Sequence, residues 1–159
     1  MAAPPIGAST RYIPEGNTHF YWVIAMANYL SPTRAELNAG TDLSPEIAGT
    51  GTWGIISATL DAADLATLFT PQITGKVTVD TPTIDMYASI NSVDVRTLLP
   101  RGTTGFVVKF PEGDVTGRTM DVYQAKVLQQ SKPTVLTTPS VIQLAWAITK
   151  IPAENVTVP

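Results

Sequence analysis

The strongest constraint in this sequence is a two-residue period in its apolar side chains. From Val141 to Lys150, Ile142, Leu144, Trp146 and Ile148 fall on one side, and Val141, Gln143, Ala145, Ala147 and Thr149 on the other. Successive side chains of a β-strand point to opposite faces, so this spacing specifies a strand. The same period runs from His19 to Asn28, where Phe20, Trp22, Ile24 and Met26 alternate with Tyr21, Val23, Ala25 and Ala27. Both faces of that segment are apolar, which predicts a strand covered on both sides.

Further strands are expected at Thr52–Leu60, Gly105–Phe110 and Gly117–Leu128. In the first, Trp53 and Ile55 share one face, and Ile56, Ala58 and Leu60 the other. In the last, the phase slips between Val122 and Tyr123, as a β-bulge would require. Lys76–Ser89 reads as a hairpin turned at Asp80-Thr81-Pro82-Thr83. Its apolar face holds Val77, Val79, Ile84, Met86 and Ala88; its polar face holds Lys76, Thr78, Asp80, Thr83, Asp85, Tyr87 and Ser89. Two short helices interrupt the strands. Ser31–Gly40 has Thr33 and Glu36 spaced as a capping box, with Gly40 as its stop. Asn91–Leu99 is capped by Asn91 or Ser92 and ended by Pro100. Ala62–Phe69 fits a helical turn or a loop.

The order shows no βαβ rhythm. It predicts a mainly β fold with one or two short helices, an antiparallel β-sandwich or open barrel. The domain is expected at residues 19–151, between an N-terminal arm (1–18, rich in Ala, Pro, Gly, Ser and Thr) and a C-terminal tail (152–159).

Charge narrows the class. Only 14% of the 159 residues are charged, while 44% are hydrophobic. Soluble domains usually carry roughly 25% charge, so much of this surface is expected to face protein rather than water. Between Ala35 and Val95 eight acids stand against one base, Lys76; between Arg96 and Lys150 seven bases stand against three acids. Complementary faces of that kind suit head-to-tail stacking of identical subunits.

Catalytic and cofactor chemistry finds little support. There is no cysteine and a single histidine, His19, so neither a thiolate nucleophile nor a Cys-ligated zinc is available. Gly49-Thr50-Gly51-Thr52-Trp53-Gly54 matches G-x-G-x-x-G, but it runs into a predicted strand instead of a helix, which removes the dinucleotide reading. No apolar run approaches ~18 residues, so no membrane-spanning helix is expected, and the first residues carry no secretory pattern. Basic residues are too dispersed, and the pI of about 5.0 too acidic, for tight DNA binding.

Several segments, in order along the chain, carry a family resemblance: TRYIPEG (Thr10–Gly16), SPTRAELNAGTDLSPEIAG (Ser31–Gly49), DVRTLLPRGTTGFVV (Asp94–Val108), GRTMDVY (Gly117–Tyr123) and PAENVTVP (Pro152–Pro159). In these the chain resembles the major tail tube proteins of siphophages, particularly those infecting actinobacteria. The resemblance implies a non-enzymatic virion subunit without a cofactor. It implies hexameric rings stacked into a tube, with the inner strands joined into a barrel around a lumen. That lumen would hold the tape measure protein and conduct the genome without sequence-specific contact. Tail terminator and baseplate or tail-tip proteins would be further partners, and the host cytoplasm the place of assembly.

On this reading Asp80, Asp85, Thr78 and Thr83 are expected on a lumen or ring–ring surface. The loop Asp42–Gly51, with Asp42, Leu43, Glu46 and Ile47, is expected to reach an adjacent subunit, as is the arm. The competing readings are another virion structural part, such as a tail terminator or head-decoration protein, and a carbohydrate-binding module with Trp22, Trp53 and Trp146 as a stacking platform.

Overall fold

The segment with two apolar faces, His19–Asn28, is a strand only as far as Val23; Ile24 beyond it is 76% exposed instead of covered. The computed structural model describes residues 3–159. In chain order the first strands are β1 (His19–Val23), β2 (Thr41–Asp42), β3 (Ile47–Thr50), β4 (Ile55–Asp61) and β5 (Gln72–Val79). They are followed by β6 (Thr83–Tyr87), β7 (Thr104–Phe110), β8 (Thr119–Ser131), β9 (Val141–Ile148) and β10 (Ala153–Thr157). Helix α1 (Arg34–Asn38) lies between β1 and β2, and α2 (Val95–Leu98) between β6 and β7.

One antiparallel sheet has the order β2-β1-β7-β8-β9-β6-β3, with β10 also paired to β8. Strands β9 and β10 lie end to end along the edge of β8 opposite β7. β9 pairs from Ser131↔Gln143 to Ala125↔Ile148, and β10 from Val122↔Ala153 to Thr119↔Thr157. Strands β4 and β5 pair only with each other, as a separate two-stranded ribbon.

Around β1, β7 and β8 the sheet is covered on both sides. One core contains Phe20, Trp22, Trp53, Ile84, Tyr123, Leu144 and Trp146. The other contains Val23, Leu37, Phe106, Val108, Phe110, Met120, Val122 and Val158. Trp22 on β1 and Trp146 on β9 are three strands apart, a separation of about 14 Å on a flat sheet. Their ring centroids are 5.3 Å apart, so the sheet curls around the first core. Trp53 closes the cluster, 5.0 Å from Tyr123 and 5.9 Å from Phe20. The chain bridges the two sheet edges through the four residues Leu43–Glu46, which run from β2 at one end to β3 at the other. Leu43 donates its N–H to Phe20 O at 2.8 Å. The result is the expected mainly β, antiparallel fold with two short helices, an open barrel without strand-to-strand closure.

Several local expectations are corrected. The hairpin Lys76–Ser89 does not form. Its two halves belong to different sheets, because both edges of β6 are taken, by β9 and by β3. No bulge separates Val122 from Tyr123; the β7–β8 register is continuous there, and both side chains are buried because each faces a different core. The irregularity in β8 falls between Val127 and Gln129. Helix α2 is capped by Asp94, whose carboxylate accepts the Arg96 N–H at 3.0 Å, and not by Asn91 or Ser92. The expected tail is strand β10, with Val158 fully buried. Residues 62–71 form no helix. The α1 capping box is as read: Glu36 N–H donates to Thr33 Oγ1, and Thr33 N–H donates to Glu36 Oε2.

The curl requires a missing side chain. A Cβ on Gly105 would stand 2.5 Å from Trp22 Cζ2 and 2.8 Å from Val23 O. Gly105→Ala is therefore expected to cost about 1–3 kcal/mol and lower Tm by several degrees. Gly54→Ala, with nothing within 4 Å of its Cβ, should leave thermal unfolding unchanged. Equal Tm values for the two variants, measured by circular dichroism, would contradict the packing described.

Candidate assembly surfaces

The β4–β5 ribbon is the least protein-like part of the molecule. Its register pairs Ile56 with Thr78 and Leu60 with Ile73. Alternation then places Ile56, Ala58, Leu60 and Ile73 on one face, all of them exposed. The tip adds Leu65 and Leu68, both fully exposed, and Phe69 at 76% exposure. An isolated two-stranded ribbon is marginally stable in water, and a contiguous apolar surface marks a contact site. Sequence reading missed this surface. The available signal was Leu65, Leu68 and Phe69, three large apolar residues in a segment without strand or helix periodicity.

The residues expected on assembly surfaces separate into two groups. Thr78 and Asp80 belong to the ribbon and the exit from it, and both are exposed. Thr83 and Asp85 lie on the outer face of β6, half-buried, opposite the core-facing Ile84 and Met86. Asp85 Oδ1 is buried and has no hydrogen-bond partner among the described residues. Of the expected inter-subunit loop, Asp42 and Glu46 are exposed, but Leu43 is buried and Ile47 packs on the first core. That segment closes the fold of its own chain. Asp42 folds back on Ser44, accepting its N–H at 2.9 Å and its hydroxyl at 2.6 Å. Trp22, Trp53 and Trp146 are all buried and offer no stacking platform to a sugar.

Two ion pairs fix the loops around the sheet. Arg34 on α1 forks onto Asp114 in the β7–β8 turn, with Nη2 to Oδ2 at 2.8 Å and Nη1 to Oδ1. The Tyr21 hydroxyl donates to the same carboxylate at 3.0 Å. The Arg34 guanidinium, ahead of Tyr21, holds the Asp114 carboxyl below the usual range. Burial first, then Asp114, pushes Tyr21 up to about 12. At the opposite end, Asp94 binds Arg96 Nε at 2.7 Å and Ser89 N–H at 2.9 Å. Those contacts hold its carboxyl low and order the loop ahead of α2.

The apolar ribbon, exposed beside the β-core, is a candidate contact surface of a structural subunit. The sequence matches the phage tail tube protein family over residues 8–159, and the chain belongs to that family. It is a structural component of the phage tail. Its fold is similar to that of a chain in the 6-fold symmetrised cryo-EM structure of the anti-feeding prophage (AFP) baseplate. That similarity has a TM-score of 0.56 at 9% identity and covers 94% of this chain and 95% of the other. No curated protein sequence matches this chain.

The Arg34–Asp114–Tyr21 cluster sets a pH dependence. A carboxyl with a depressed folded pKa contributes stability above its unfolded value of about 3.9, and loses it as pH falls through the folded value. Because Arg34 is partly exposed, Asp114→Asn is expected to cost only about 1–2 kcal/mol at pH 7. Urea unfolding of both proteins at several pH values should show that gap narrowing below pH of about 4. A gap that stays constant down to pH of about 2 would remove Asp114 as its source.

Proposed function

We propose that this chain is the tail tube subunit of a siphophage and polymerises into stacked hexameric rings around a lumen. The observation that carries the reading is the β4–β5 ribbon, whose apolar face and tip find no cover among the described residues. In an assembly of identical subunits, a neighbouring copy supplies the cover. Cyclic closure makes a ring, and open-ended stacking makes a tube. The six-fold symmetry of the AFP baseplate, whose chain has a similar fold, favours six subunits per ring.

The outer face of β6 and β9 suits the lumen. It presents Thr83 and Asp85 beside Gln143 and Ala145, small or polar groups in a regular antiparallel register. Carboxylates there repel the phosphates of a passing genome, so DNA slides without adhering. Asp80 and Thr78 then lie toward the ring–ring boundary. The lumen holds the tape measure protein during assembly, in the host cytoplasm, and the tube ends meet terminator and tail-tip proteins.

Negative-stain microscopy of concentrated purified protein tests this. Long tubes are the expected result; closed single rings would favour a terminator. The doubly substituted Leu68→Asp/Phe69→Asp protein should keep its β-sheet circular dichroism and Tm yet remain monomeric in sedimentation. If that variant polymerised like the unmodified chain, the ribbon would not be the contact.

A further inference from the structure

The open barrel has a seam, and the seam is a groove. It measures about 380 Å³ and runs between the outer edge of β3 and the segment Pro14–Thr18, with Phe20 and Ile47 along it. Among the described residues β3 pairs on one side with β6 and on the other with no strand. One row of its backbone N–H and C=O groups therefore faces the groove, which is a template for a further strand.

We propose that the seam takes the N-terminal arm of a second copy of this chain, residues 6–11 pairing with the free edge of β3. This rests on the polymeric reading given above. The arm is the right occupant on three grounds. Residues 3–12 belong to no strand, and Ile6 is 97% exposed, an apolar anchor without a seat that suits the floor near Phe20 and Ile47. Charge is complementary: Arg11 is the only charged residue between Ala3 and Ile13, while the groove presents Glu15, and Glu46 directly precedes its lining residue Ile47. The length also fits. Extended, the eleven residues Ala3–Ile13 reach about 36 Å, close to the diameter of a domain of this size.

The arm of the same chain lies elsewhere. Its Thr10 and Tyr12 line a different pocket, with Glu112 and Arg118. Pro14 itself begins the wall of the groove, and its ring fixes the backbone φ at the point where the chain would have to double back.

The chain has no cysteine, so disulfide trapping is free of background. Full-length protein carrying Thr50→Cys is co-assembled with protein carrying Ile6→Cys, Ala8→Cys or Thr10→Cys, one at a time, and oxidised after tubes have formed. Cysteines bridge only when their Cα atoms come within about 7 Å. The expected result is a shift from the monomer band to a dimer for at least one arm position. A doubly substituted chain with the same pair should give a ladder of higher species. Tubes in which Thr50→Cys traps Leu68→Cys and no arm position would assign the seam to the ribbon and overturn the proposal. Trapping within single chains only would overturn it equally. If the unmodified protein forms no tubes, the polymeric reading fails, and this inference with it.

Discussion

The contact between Trp22 and Trp146 decides the shape of this protein. Strands that would be distant neighbours in a flat sheet are drawn together by two indole rings, and Trp53 and Tyr123 complete the cluster. Large aromatic rings bury more apolar area than any other side chains, so the curl is stabilised where it is sharpest. Everything else accommodates it. Gly105 leaves room for Trp22. The crossing Leu43–Glu46 becomes short enough to join the two sheet edges. The seam beside β3 is what the curl leaves unfilled.

Features that depend on near neighbours in the chain were legible in the sequence. The alternation in Val141–Lys150 locates β9 to within two residues, and the Thr33–Glu36 capping box marks the start of α1, although the span Ser31–Gly40 read for that helix is twice its five residues. What depended on distant partners was not. Val77 and Val79 look like the continuation of Ile84 and Met86, since all four alternate with polar residues. Only the pairing of β6 with Gln143 and Gly49, far away in the chain, shows that β5 is left out. The apparent slip at Val122–Tyr123 misled for a related reason. Two adjacent buried residues imply a bulge only when one face of the sheet is wet, and here both faces are dry. Of the candidate assembly surfaces, the acidic and polar positions on β6 could be read from alternation. The ribbon could not, because alternation reports which residues share a face and not whether anything lies against it.

The molecule separates stability from association. Its two cores and its ion pairs, Arg34–Asp114 and Asp94–Arg96, hold the main sheet without help. The β4–β5 ribbon and the arm contribute nothing to either core. The apolar surface that the ribbon exposes lies outside the packing that holds the sheet together. The chain's low charge, 14% of residues, reduces the like-charge repulsion that stacking would otherwise meet.

Strand β8 gives the subunit a mechanical axis. Its thirteen residues extend about 43 Å, with β7 along one edge and β9 followed by β10 along the other. A pull along β8 therefore loads hydrogen bonds on both edges in shear, all at once, instead of peeling them one after another. The same strand passes through both hydrophobic cores, so tension at one end reaches each of them through a single unbroken backbone. In a structural component of a phage tail, load along β8 is thus shared by the whole sheet.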